Sequence, residues 1–226
     1  MAPIKHLACI AGIAAVTASV SAGPVVFNLS QEFSGAAAPN GVAPWATATF
    51  TDMGSGTIRL TMDEKLQGAG EFLGKAAGGG GDRGWLFNLD PSLDAANLAF
   101  TWVSGTVAIV TTGSTNTYKP DGDGEFDIRI GWTDGLPKGA ADVVYDLTIS
   151  AGTLTTASFD FVSVNGSPGK DGFHSAVHVQ GITNPSSGTG GSGWIADNPI
   201  IPLPTTAGMA FAGLLGLGCV RRRRDL

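Results

Sequence analysis

The sequence predicts an all-β protein: a single β-sandwich, of which the jelly roll is one form, flanked by an N-terminal signal peptide and a C-terminal transmembrane helix. Three observations lead there. Apolar residues alternate with polar ones over many short runs, which is the period of strands. Clusters of Gly, Asn, Asp and Pro separate the runs, and about ten such runs in one chain are the mark of a sandwich. The two long apolar stretches lie at the chain's ends.

The elements follow in order. Met1 to Ala22 has a weakly basic start (Lys5, His6), an apolar stretch from Leu7 to Val16 and small residues Val20-Ser21-Ala22 before Gly23, the pattern of a cleaved secretory signal. Val25, Phe27 and Leu29 then alternate with Val26, Asn28 and Ser30, Ile58, Leu60 and Met62 with Thr57, Arg59 and Thr61, and Phe126, Ile128, Ile130 and Trp132 with Asp127, Arg129 and Gly131. Further strands are expected at Trp45–Met53, Trp85–Leu89, Leu98–Val103, Thr106–Thr111, Val143–Ile149, Ser158–Val164 and Ala176–Ile182. Glu71 to Ala77 reads as a helical turn ended by Gly78–Gly81. After the flexible run Gly188–Gly193, Trp194 and Ile195 suggest a last element packing back, so the domain is expected to span 23–195, with a spacer over 196–204.

The tail carries the most specific signal. Pro202-Leu203-Pro204 is followed by a charge-free segment over 205–220 and by Arg221-Arg222-Arg223-Arg224, in a basic end over 221–226. As a helix the segment spans roughly 24 Å, a little short of the roughly 30 Å hydrocarbon core. The arginines compensate by snorkelling and hold that end in the cytoplasm, leaving everything before Ile201 outside. Gly208, Gly213, Gly216 and Gly218 suit close packing or easy unwinding better than permanent anchoring.

A secretory signal, one soluble domain, a Pro-containing tripeptide, a small-residue-rich apolar helix and a terminal Arg cluster together resemble the PEP-CTERM sorting arrangement of Gram-negative bacteria. Leu203 stands where that signature has Glu, so this is a Pro-Leu-Pro form. Within the domain, Gly122–Ile128, His178–Ile182 and Gly193–Ile195 are similar to segments of some PEP-CTERM proteins. The resemblance implies export by the secretion machinery, transient membrane insertion, recognition by an exosortase and a destination at the cell surface or in the extracellular polysaccharide of a biofilm matrix.

Both cysteines, Cys9 and Cys219, lie in the terminal segments, so the domain has no disulfide and no thiolate chemistry. Setting aside Lys5, the four tail arginines and Asp225 leaves 8 basic and 18 acidic residues in the domain, a charge of −10 that disfavours nucleic acid and anionic lipid as partners. Neutral polysaccharide and divalent cations remain compatible with such a surface.

The candidate sites are three. Asp121, Asp123, Glu125 and Asp127 sit on a Gly-bent loop that could wrap calcium, although the EF-hand positions for Gly and the bidentate Glu are not met. The competing reading is an acidic turn with Asp127 on the solvated face of the following strand. Trp85 and Trp194, after Gly-rich loops, are the expected exposed rings for stacking on a glycan, while Trp102 and Trp132 continue the apolar alternation into the core. His174 and His178 are four apart on a strand, hence roughly 13 Å from one another, and read as two exposed histidines and not as a zinc pair. Gly74-Lys75 and Gly169-Lys170 lack the spacing of a phosphate loop, and there is no Gly-x-Ser-x-Gly elbow. The expectation is therefore a non-enzymatic surface or matrix protein with no cofactor. A carbohydrate-binding module, with calcium as a conceivable cofactor, is the alternative, and a glycoside hydrolase ranks third.

Overall fold

In a computed structural model, the structure describes residues 23–76, 83–113, 115–120, 124–166, 172–183 and 190–197. The signal peptide, Asp121, Asp123, Gly78–Gly81, the sorting tripeptide, the apolar segment and the arginines lie outside these residues. Within them the chain is all-β: β1 (Val25–Glu32), β2 (Ala46–Asp52), β3 (Ile58–Glu64), β4 (Phe72–Leu73), β5 (Trp85–Phe87), β6 (Leu98–Ser104), β7 (Ile109–Thr112), β8 (Ile128–Gly131), β9 (Leu136–Pro137), β10 (Val143–Ile149), β11 (Ser175–Thr183) and β12 (Gly190–Asp197).

A sandwich predicts two separate sheets; hydrogen bonding instead links all twelve strands into one, in the order β6-β10-β3-β2-β1-β12-β11-β5-β8-β7, with β4 on β11 and β9 on β4. The sheet curls until it nearly closes. Every strand pairing is antiparallel. Among the described residues the two ends approach without pairing, because β6 and β7 are joined by only the short segment 105–108. That segment is fixed from inside, since Trp132 Nε1 donates to the Thr106 carbonyl at 3.0 Å and the Ala108 N–H donates to Tyr145 Oη at 2.8 Å.

Strand alternation places the core. Phe27 and Leu29, Ala48 and Phe50, Ile58, Leu60 and Met62, and Val143, Tyr145 and Leu147 all point into one cluster, with Thr47, Thr49, Thr61 and Asp146 on the other face. Strands β5, β11 and β12 differ, because both their faces are covered. Trp85, Phe87, Val177, Val179 and Ile195 join the main core. Leu86, Ala176, Trp194 and Ala196 form a second cluster beneath Phe33, Tyr118, Phe126 and Phe173, which the connecting segments supply.

Two expected elements take other forms. Ser158–Val164 is not a strand. A 3-10 turn at Thr156–Phe159, held by a capping box between Thr155 and Ser158, swings Phe159 onto Phe50, with ring centroids 4.1 Å apart. Glu71–Ala77 is not helical over its described part: Phe72–Leu73 pair with β11 and β9, and Lys75 bridges to Trp132. The last strand also runs two residues past the expected domain end, to Asp197. Because β12 is antiparallel to β1, with Ile195 opposite Glu32 and Asp197 opposite Leu29, the chain leaves the domain on the side where it enters.

Candidate functional site

The point where β12 ends carries a buried polar cluster. Asp197 is buried, and its Oδ1 accepts the N–H groups of His174 and Ser175, each at 2.9 Å. Its Oδ2 lies 2.7 Å from His174 Nδ1, while His174 Nε2 is 3.3 Å from Oδ1 of the exposed Asp160. The imidazole also stacks on Phe27 of β1, 5.0 Å between centroids and 10° from parallel. His174 thus joins the last residue of β12, the first strand and the segment after Phe159.

Histidine, serine and aspartate occur together here, but not as a nucleophilic triad. Ser175 Oγ accepts from Trp85 Nε1 at 2.8 Å and donates to the Leu86 carbonyl at 3.1 Å, so its proton is directed away from the imidazole. Both ring nitrogens face carboxylates, which suits an imidazolium holding two anions together. Burial pushes the His174 pKa down, but the hydrogen bond and charge of Asp197, aided by Asp160, outweigh it, and the group lies above its ordinary 6.5. A raised folded pKa contributes stability that is fully present below the unfolded value and lost as pH rises through the folded one. The domain is therefore expected to melt at a higher temperature near about pH 6 than near about pH 8. His174→Gln should flatten that difference; an unchanged pH dependence in the variant would assign it to another group.

The acidic loop is organised for a different purpose. Asp127, expected on the solvated face, is buried: its Oδ2 accepts the Leu89 N–H at 2.9 Å and its Oδ1 the Asn116 N–H at 2.6 Å. The reason is that the chain bends at Asp127 just before β8, and the segments carrying Leu89 and Asn116 close over its carboxylate. Glu125 faces other partners, accepting from Asn165 Nδ2 at 2.7 Å with Lys119 Nζ at 3.7 Å. Of the four carboxylates proposed for calcium, the two described ones hold separate parts of the fold. Among the described residues no group of three or more His, Cys, Asp or Glu side chains is placed to hold a metal. Beside Asp127 lies a cleft of about 250 Å³, walled by Asn88, Leu89, Pro91, Phe161 and Val162. It is smaller than the roughly 300–1,000 Å³ usual for small-molecule sites.

The aromatic expectation is corrected at three positions. Trp85 (0% exposed) and Trp194 (5%) lie in the two cores and offer no face to a sugar, whereas Trp102 is 48% exposed. Burial on both faces of β5 and β12 explains the first two; the place of β6 at the end of the sheet order explains the third. Trp132 is buried as expected. His178, expected at the surface, is buried in β11, its ring 5.1 Å from that of Trp194, and His174 is largely covered.

Sequence reasoning also passed over two buried acids. Glu71 accepts from the Asn40 N–H at 2.9 Å, Asn40 Nδ2 at 2.7 Å and the Gly68 N–H at 2.9 Å. Glu64 accepts from the N–H groups of Leu66 and Gly139; burial pushes its pKa up against these bonds. The sequence offers one hint for the first: Glu71 is a lone acid between the glycines of Gly68-Ala69-Gly70 and an apolar pair, where a solvated role has no partner nearby. The partners of His174 and Asp197 are set by strand pairing over a distance, for which no local pattern exists. No family model matches the chain, and neither a curated protein nor a solved structure matches it.

Proposed function

We propose that this chain is an exported, non-enzymatic protein of a Gram-negative cell surface or extracellular matrix, delivered through its C-terminal signal and released by an exosortase. One observation carries the reading: the ordered tail of Pro202-Leu203-Pro204, apolar segment and Arg221–Arg224, paired with a secretory leader at the other end. The domain between them is consistent with it. Its buried polar side chains Asp127, Glu71, Ser175 and Asp197 bond to the protein's own backbone and side chains, as in a domain built for persistence. Entry and exit on the same side would leave the rest of the sheet clear of the membrane while the tail is inserted.

The alternative of a calcium-dependent glycan module loses support, since Trp85 and Trp194 are interior and Glu125 and Asp127 have other partners. The proposal is tested by replacing Pro202 and Pro204 with Ala in the producing cell. Wild type should reach the surface or medium, and the variant should stay in the envelope fraction. Equal distribution of the two would overturn the proposal.

A further inference from the structure

At the seam where the sheet nearly closes, the end strands β6 and β7 do not pair with each other among the described residues, and β6 is the longer of the two. Among the described residues β6 hydrogen-bonds to β10 on one side, from Leu98↔Ile149 to Ser104↔Val144, and to no strand on the other. Its residues Ala99, Thr101, Trp102, Val103 and Ser104 are all exposed. A strand with an open edge presents unpaired N–H and C=O groups, and proteins usually protect it with lysine, proline or an inward charge. From Ala95 to Tyr118, through β6, the connection and β7, the chain has no Asp, Glu, Lys, Arg, His or Pro; the edge is interrupted only near its end, where a register shift leaves Val103 outside the pairing with β10 and Leu98–Trp102 regular.

That neutral stretch stands out against a domain of net charge −10. Two copies repel wherever their acidic surfaces meet, and a charge-free edge is where they can approach without that cost. The strand is also complementary to itself. Placing Thr101 opposite Thr101 of a second antiparallel copy sets Phe100 against Trp102 on one face, within the regular stretch Leu98–Trp102. Every cross-strand pair is then uncharged, with aromatic on aromatic and Thr on Thr, the pairings that favour sheet association. Trp102 is already held for such a contact, since its Nε1 donates to the Gly105 carbonyl at 3.2 Å and leaves half the ring uncovered. Phe100, packed edge-on against Tyr145, supplies the opposing surface.

We infer that the chain forms a two-fold dimer by antiparallel β6–β6 pairing centred on Thr101, joining two sheets across their open edges. The occupant is a second copy of this chain, and the contact is isologous. The test uses the full chain in non-ionic detergent, with sedimentation velocity over a range of concentrations. Wild type should convert from monomer to dimer. Thr101→Lys and Thr101→Glu, each placing like charges opposite one another at the two-fold, should remain monomeric while keeping the wild-type circular dichroism. An equimolar mixture of the two should dimerise again, an outcome general loss of stability cannot produce. Should the charged variants fail to fold, Thr101→Cys in a background of Cys9→Ser and Cys219→Ser should give a disulfide-linked dimer on oxidation, with Thr148→Cys remaining single. Wild type that stays monomeric, a dimer that survives Thr101→Lys, or no recovery in the mixture would each overturn the inference. A dimer insensitive to the charge would assign association to the apolar tail.

Discussion

Glu71→Ala is expected to lower the unfolding free energy by about 3 kcal/mol at neutral pH. The carboxylate is 1% exposed and receives three hydrogen bonds, from both nitrogens of Asn40 and from Gly68. A bond to a charged partner contributes about 1.5–3 kcal/mol. Removing the acceptor leaves the buried Gly68 N–H without a partner, whereas the exposed Asn40 can turn its donors to water, so the loss comes from Gly68 and from the emptied space of the buried side chain. The consequence is structural at a distance, because Asn40 lies between β1 and β2 and Gly68 between β3 and β4. Denaturant unfolding followed by tryptophan fluorescence, with Trp85 and Trp132 as interior reporters, gives the value directly. A loss under about 1 kcal/mol, the level of a surface bond, would show that the site is solvated.

Gly181→Ala should cost about 3 kcal/mol by an independent route. Gly181 forms the irregularity in β11 between Gln180 and Ile182, with φ of +76°. A methyl group there would sit 2.1 Å from the Gly70 carbonyl oxygen and 3.3 Å from the Glu71 Cα. Left-handed strain and a backbone collision add together, and no flexible side chain can move aside to relieve them. The bulge therefore exists to admit the Gly68–Glu71 turn against the sheet. Because the two sites touch, the double variant should lose less than the sum of the singles. Full additivity would mean that the bulge and the carboxylate act separately.

How far the sequence discloses this structure depends on how many faces of a strand are buried. Strands β1, β2, β3 and β10 have one face in the core and one outside, so alternation reveals both their presence and their direction. In β5 and β11 alternation disappears. Trp85-Leu86-Phe87 and the run from Ser175 to Val179 are buried throughout, and a continuous apolar run is the signature of a strand covered on both sides. That is why Trp85 and Trp194 look available in sequence and are interior in space. Trp102 errs the other way: it keeps the inward parity of Leu98 and Phe100, but β6 is an end strand with no second partner strand among the described residues. The polar hubs are the least legible. Asp127, Glu71 and Asp197 resemble any surface acid until the pairing of distant segments brings N–H groups to them.

The Glu64 carboxylate lies on the same side of its ordinary value as the His174 imidazole, since burial raises the one and the neighbouring carboxylates raise the other. Both groups bind protons more tightly folded than unfolded, so stability contributed by each fades as pH rises through its folded pKa. For Glu64 that window lies above the usual carboxylate value of 4.5, and for His174 above 6.5. The domain should accordingly favour mildly acidic surroundings over alkaline ones.

The sorting reading makes one commitment that a single mass can decide. The full-length product should be recovered from cells and medium under producing conditions, and its intact mass measured in each fraction. A released form lacking residues 1–22 and ending near Pro202–Pro204 is the result the proposal predicts, since it takes the tail to be a temporary hold presented to a processing enzyme. A mature form in both fractions whose mass still includes Arg221–Arg224 would contradict it, leaving the apolar segment as a standing anchor.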